Sequence, residues 1–148
     1  MLTFSLLAFI KIENEVLSKL EKLEDWKPRG GSTALCGVFY TGILYVANLG
    51  DSRAVMFQND NFTPLSNLHD FTNENERQYV ENKGGVVLNN RLEGELALSR
   101  SIGDIRFKHY MNSEPEIVAH EIKSQDEYLI LATDGYWNVY FSLYFLLI

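Results

Sequence analysis

The chain has 148 residues, sized for one domain or part of a larger one, and its 46% hydrophobic and 13% aromatic content suffices for a folded core. Thirteen Lys and Arg against twenty Asp and Glu leave a net charge of −7. That balance argues against a nucleic-acid partner, because phosphate backbones need clustered cations.

A single cysteine, Cys36, excludes an internal disulfide and fits a reducing compartment. It sits in the alternating run Ala34, Cys36, Val38 with no basic neighbour, which predicts a small buried hydrophobe. Residues 1–12 are apolar but lack a basic leader and a cleavage site, so no secretory signal is expected. Residues 139–148 are also apolar, yet fall short of the ~20 residues a spanning helix needs. Such a tail is expected to pack against something or to mark an artificial cut. An intracellular location, cytoplasmic or nuclear, without membrane attachment is the corresponding expectation.

In chain order, Leu6, Phe9, Ile10, Val16, Leu17, Leu20 and Leu23 follow helical spacing and predict one amphipathic helix from Phe4 to about Glu24. Pro28 and Gly30-Gly31 end it. Ser32 to Tyr40, Ile43 to Asn48 and Ser52 to Phe57 are β-branched and aromatic runs separated by Thr41-Gly42 and Gly50-Asp51, and read as antiparallel strands. Residues Gln58 to Asn61 form a turn; they lack the Gly and distant Glu of a calcium loop. Asn73 to Lys83 is a second helix, capped by Asn73 with Glu76 three residues on and stopped by Gly84-Gly85. Val86 to Leu88 and Arg91-Leu92 flank an Asn89-Asn90 hairpin turn. Leu96 to Ser99 is a short strand candidate and Ile105 to Ser113 a loop, with strands from Ile117 to Ile122 and from Glu127 to Thr133. Helices packed on antiparallel sheets are the expected class, α+β.

Three aspartates, Asp51, Asp104 and Asp134, each adjoin a glycine at a strand–loop junction. Glycine permits a sharp turn, and aspartate there offers a hard oxygen to Mg²⁺ or Mn²⁺. A metal-bound water ionises more easily and becomes a nucleophile near neutral pH. Gly-Asp turns are also common as plain structure, so spacing leaves both readings open. Arg53 and Arg100 follow two of these turns and suit either phosphate contact or a structural clamp. His69, His109 and His120 have no zinc-like spacing with Cys36, and each is expected at the surface or in a hydrogen bond. No Gly-x-Ser-x-Gly elbow and no phosphate-binding Gly-x-x-x-x-Gly-Lys loop is present.

The order of the segments is more specific than any one of them. Gly31-Ser32-Thr33-Ala34 precedes Leu44-Tyr45-Val46-Ala47-Asn48-Leu49-Gly50-Asp51-Ser52-Arg53-Ala54-Val55, and Glu76-Arg77 leads to Gly84-Gly85-Val86. Leu96-Ala97-Leu98-Ser99-Arg100-Ser101-Ile102-Gly103-Asp104, Pro115-Glu116-Ile117 and Leu129-Ile130-Leu131-Ala132-Thr133-Asp134-Gly135-Tyr136-Trp137 follow. From the first helix to Val139 this series closely resembles the metal-dependent protein Ser/Thr phosphatases of the protein phosphatase 2C family.

The resemblance implies an antiparallel β-sandwich flanked by α-helices, with a binuclear Mn²⁺ or Mg²⁺ centre at one end. It implies hydrolysis of phosphoserine and phosphothreonine on protein partners by a metal-activated water, and a monomer in the complete form. By position, Asp134 matches a core metal ligand and Asp51 a ligand of a third, weaker metal. Asn138 stands where the family has a further aspartate of that third site, and its amide should bind a divalent ion more weakly. Gly135, Asp104, Arg53 and Arg100 take supporting positions, and Leu68 replaces the aspartate usual before His69. The family's Asp-Gly-His-Gly-Gly segment, with its proposed general-acid histidine, and its closing Asp-Asn motif are not among these residues. No catalytic acid is therefore assigned. Residues 1–148 are expected to form a partial catalytic domain with weak Mn²⁺ binding, marginal stability and negligible hydrolysis on their own. The alternative is a non-catalytic, phosphatase-like module that binds a protein partner.

Overall fold

The computed structural model describes residues 2–22 and 30–139. Helix α1 (Leu2–Leu20) is followed by β1 (Gly31–Ser32), β2 (Ala34–Tyr40), β3 (Ile43–Leu49), β4 (Arg53–Gln58) and β5 (Asn61–Pro64). Then come α2 (Glu74–Asn82), β6 (Val87–Leu88), β7 (Arg91–Leu92), β8 (Ile102–Gly103), β9 (Glu116–Glu121) and β10 (Asp126–Ala132). Residues 134–139 are helical. The apolar tail beyond residue 139 and the Pro28 turn lie outside the described residues.

Two three-stranded antiparallel sheets, β2-β3-β9 and β10-β4-β5, form the α+β sandwich. Its core is made where Leu44 and Val46 of β3 meet Ala54 and Met56 of β4, with Leu65, Leu35 and Leu129 closing the gap. Strand β3 alternates: Ala47 and Leu49 face the other way, against Phe9 of α1. Helix α1 thus covers the outside of the first sheet. Its inward stripe runs through Phe9 and Glu13, with Leu6, Val16, Leu17 and Leu20 partly covered, while Ile10 is 36% exposed. A second cluster, Phe71, Val80, Leu92, Phe107 and Met111, packs α2 over the loops between β5 and β9.

Local chemistry explains the turns. Thr41-Gly42, Asn59-Asp60 and Asn89-Asn90 all have positive φ, the two-residue hairpin geometry whose twist matches that of the flanking strands. Asn73 caps α2 by accepting from the Asn75 N–H at 3.1 Å. Helix α1 stops at Leu20, short of the expected Glu24.

Other expectations are corrected. Strands β3 and β4 do not pair; they lie in different sheets, because the chain crosses the sandwich at Gly50-Asp51-Ser52. The first long strand is broken at Thr33, where β1 leaves to pair with β8. Residues 96–99 make only isolated bridges, Leu92 with Leu96 and Asp70 with Leu98, so no strand forms there. Strand β5 was not anticipated. Cys36 is exposed, on the α1 side of edge strand β2, and what covering it has pushes its thiol pKa up. Among the described residues, no helix is long and apolar enough to cross a membrane.

Candidate metal site

The site begins at the crossing between sheets. Leu49 ends β3 and Arg53 starts β4, so three residues must turn the chain from one sheet into the other. Gly50 makes this turn at φ +115°, where a Cβ would sit 2.4 Å from Thr33 Cγ2. Its backbone is held from within. The Gly50 N–H donates to Nδ1 of His69 at 3.0 Å, and the Gly50 carbonyl accepts from the His69 N–H at 3.1 Å. Buried Asn48 adds a bond from Nδ2 to the same carbonyl at 3.2 Å and another to the Asn67 carbonyl at 2.9 Å. The Ser52 and Thr33 hydroxyls lie 3.0 Å apart, tying the turn to the start of β2.

The opposing carboxylate arrives by register. Strands β4 and β10 run antiparallel with Arg53 opposite Ala132 and Ala54 opposite Leu131. The paired register ends at Arg53 and Ala132, and Asp51 and Asp134 each lie two residues beyond those positions, at the same end of the strand pair. Trp137, 3% exposed, donates Nε1–H to the Ala132 carbonyl at 2.9 Å and so pins the helical turn carrying Asp134 to the end of β10. Asn138 lies one helical turn after Asp134, on the same face, and is exposed. Gly135 has open space around it, its nearest neighbour being the Thr133 hydroxyl at 3.8 Å from a Cβ position.

Electrostatics show the Asp134 charge reaching Asp51. Partial burial pushes the Asp51 carboxyl up, and the charges of Asp134 and Asp70 push it further; Arg53 and a backbone hydrogen bond pull it down. A pair of like charges at a sheet rim is relieved by a cation. Two carboxylates and an amide oxygen are hard donors that suit Mg²⁺ or Mn²⁺ retaining several waters. Among the described residues, no group of three or more His, Cys, Asp and Glu side chains converges as a metal cage. Arg53 leaves its Nε buried without a hydrogen-bond partner.

The other two motif residues are built into the scaffold. Arg100 forms a two-pronged ion pair with Glu76, Nη2 to Oε1 at 2.5 Å and Nε to Oε2 at 2.9 Å, and Nη1 donates to the Glu114 carbonyl. Ser99 donates to the same Glu76 carboxylate at 2.6 Å. This is the structural clamp, one of the two readings its position allowed. Asp104 is 4% exposed at φ +47° and accepts from the Ser101 hydroxyl at 2.6 Å, while its N–H reaches the Gly30 carbonyl at 3.0 Å. Burial raises its pKa, against the pull of Ser101 and Lys108. Behind it, buried Glu13 of α1 takes the Gly103 N–H at 2.9 Å and pairs with Lys108 at 2.8 Å, which fixes α1 to the Gly-Asp loop.

Asn48, Asp70 and Glu13 carry no motif that marks them in the sequence, and His69 stands there only as a surface or hydrogen-bonding histidine. His69 was expected to hydrogen-bond or to lie at the surface; it is 2% exposed and His109 is exposed, while His120 pairs with Asp126 at 2.8 Å. The one available signal was polarity inside apolar runs, as at Asn48 in β3 and Glu13 in α1.

Comparison with known proteins agrees with this architecture. The family model for protein phosphatase 2C matches residues 6–142. "Probable protein phosphatase 2C 55" of Oryza sativa subsp. japonica is 38% identical over 134 residues, covering 88% of this chain and 35% of its own length. "Protein phosphatase 2C 3" of Arabidopsis thaliana is 44% identical over 112 residues, covering 74% of this chain and 25% of its own length. Among solved structures, the serine-threonine phosphatase 2C from Toxoplasma gondii superposes with a TM-score of 0.77 at 27% identity, over 88% of this chain and 49% of that one. A C. elegans sex determining protein superposes with a TM-score of 0.78 at 31% identity, over 86% of this chain and 32% of that one. The chain spans about a third or less of the length of these curated relatives. With the family model matching most of its residues, the chain belongs to the protein phosphatase 2C family.

Proposed function

We propose that this chain is part of a metal-dependent protein phosphatase that hydrolyses phosphoserine and phosphothreonine on protein substrates. Asp51 and Asp134, with Asn138, would hold a Mn²⁺ or Mg²⁺ ion. The observation that supports this most is the β4–β10 register, which brings two carboxylates from distant segments to one rim. When bound, a divalent ion supplies Lewis acidity toward a phosphate ester and its attacking water.

The chain's own residues prepare that rim. Asp51 and Asp134 concentrate negative charge, and Arg53 lies close enough to moderate it. Asn48 and His69 fix the Gly50 backbone beside Asp51, which limits the reorganisation that ion binding requires. Glu76 and Arg100 hold the neighbouring loop.

Mn²⁺-dependent phosphate release from a phosphothreonine peptide tests this in the full-length protein. Loss of release in Asp134→Ala, with release retained in the surface control Asp60→Asn, is expected. Release undiminished in Asp134→Ala would refute the assignment. Asn138, a neutral amide on the acidic face, favours a second reading in which the module binds a partner without catalysis. Mn²⁺ binding with no hydrolysis would select it.

A further inference from the structure

His69 makes three hydrogen bonds, two to Gly50 and one to Ser99. Its Nδ1 accepts the Gly50 N–H, its own N–H reaches the Gly50 carbonyl, and its carbonyl accepts the Ser99 N–H at 3.0 Å. The first two bonds grip the turn that carries Asp51. The third fixes the segment whose next residue, Arg100, is clamped by Glu76. One buried residue therefore joins the two segments: its ring and backbone N–H hold Gly50, and its backbone carbonyl holds Ser99.

The bonding also specifies the ring. Only an unprotonated Nδ1 can accept an N–H, so the hydrogen of a neutral imidazole sits on Nε2. The Gly50 N–H has no strand partner at the sheet crossing. Without His69 it would be a buried donor with nothing to bond, and the turn would relax to find one.

We propose that His69 is a positioning residue for the divalent-ion site: by taking the Gly50 N–H on Nδ1 it holds the Asp51 carboxylate opposite Asp134. The proposal rests on the reading of these two aspartates as ion ligands. Leu68, Asn67 and Asp70 do not share the task through their side chains. Asn67 bonds Glu116 at 2.6 Å, and Asp70 bonds Thr72.

Two variants and one direct measurement test it. His69→Asn keeps an acceptor near the Nδ1 position, whereas His69→Leu keeps bulk and removes it. Mn²⁺ alone is the probe. His69→Leu should bind Mn²⁺ about tenfold or more weakly, the scale on which groups that orient metal ligands act, with His69→Asn close to wild type. Nitrogen–nitrogen coupling across the hydrogen bond between the Gly50 amide and His69 Nδ1, read by NMR on the wild-type chain, does not depend on either variant folding. Absence of that coupling overturns the proposal, as does wild-type Mn²⁺ affinity in His69→Leu. Equal loss in both variants, with intact melting curves, overturns it too. If the coupling is present but the wild-type chain binds no Mn²⁺, the ion reading fails while the Gly50 anchoring stands.

Discussion

At the scale of single residues, the rim depends on groups whose chemistry leaves little freedom. His69 has its pKa lowered from 6.5 to about 4, first by burial and then by the Arg100 charge, with Glu76, Glu116 and Asp70 opposing. A buried neutral imidazole binds no proton in the fold while the unfolded chain takes one up below about pH 6.5. The contribution is therefore fully present above pH 6.5 and lost as pH falls toward 4. Linkage caps it at about 3 kcal/mol. Denaturant titrations at pH 7 and pH 4.5 should show a steeper loss for the wild-type chain than for His69→Asn. Equal pH slopes would contradict the buried, neutral ring.

Gly50 is the second such residue. A side chain there meets Thr33 at 2.4 Å and must adopt φ +115°. Gly50→Ala should cost about 2–4 kcal/mol, from strain and overpacking together. Thermal melts check this against Gly42→Ala, where φ is also positive but the space is open. A similar small loss in both would mean that conformation, and not the Thr33 contact, sets the cost.

At the scale of elements, α2 is held to the loop before β8 by one ion pair. Burial pushes the Glu76 carboxyl up, but the Arg100 and Ser99 hydrogen bonds outweigh it and hold its pKa below the usual range. Glu76→Gln keeps the shape and removes the charge, leaving Arg100, largely buried, without its counter-ion. A loss of about 3 kcal/mol is expected, the scale of breaking a buried pair from one side. Chemical denaturation measures it; a change under 1 kcal/mol would place Arg100 in contact with water.

How much of this the chain revealed in advance follows from range. Asn73 as a cap, the Asn89-Asn90 turn and strands β9 and β10 are encoded within a few residues, and each formed where expected to within a residue or two. The partner of a strand is not encoded locally. A period of two says that β3 and β4 are strands, yet it is equally compatible with pairing and with facing each other across a core. The crossing at Gly50 is fixed by neighbouring Asn48 together with Thr33 and His69, which are distant in sequence. The site follows the same rule. Asp51 and Asp134 stood out by their glycine neighbours, whereas His69 becomes visible only when residue 69 folds back beneath residue 50. Cys36 looked like core because it alternates with apolar neighbours, but β2 is an edge strand.

At the scale of the whole molecule, the second sheet brings the start of β4 and the end of β10 to one rim, at the crossing from the first sheet, and keeps an aromatic outer face of Phe57, Phe62 and Tyr128. Tyr128 is 65% exposed. The sandwich core between Leu44, Val46, Ala54 and Met56 sets the spacing on which the rim relies. Leu44→Ala, at a position with no exposure, should cost about 2–5 kcal/mol and weaken ion binding in parallel. Melting and Mn²⁺ titration on one sample would separate the two effects. Loss of stability with unchanged affinity would show that the rim tolerates a loosened core.

The central claim, that β4 and β10 bring Asp51 and Asp134 together to hold a divalent ion, is tested most directly by Mn²⁺ titration of the isotope-labelled chain followed by NMR. Paramagnetic broadening should appear first at the amides of Asp51, Asp134 and Gly135, and should vanish from all three in Asp134→Asn. Broadening spread evenly over the acidic surface, and unchanged by that substitution, would contradict it.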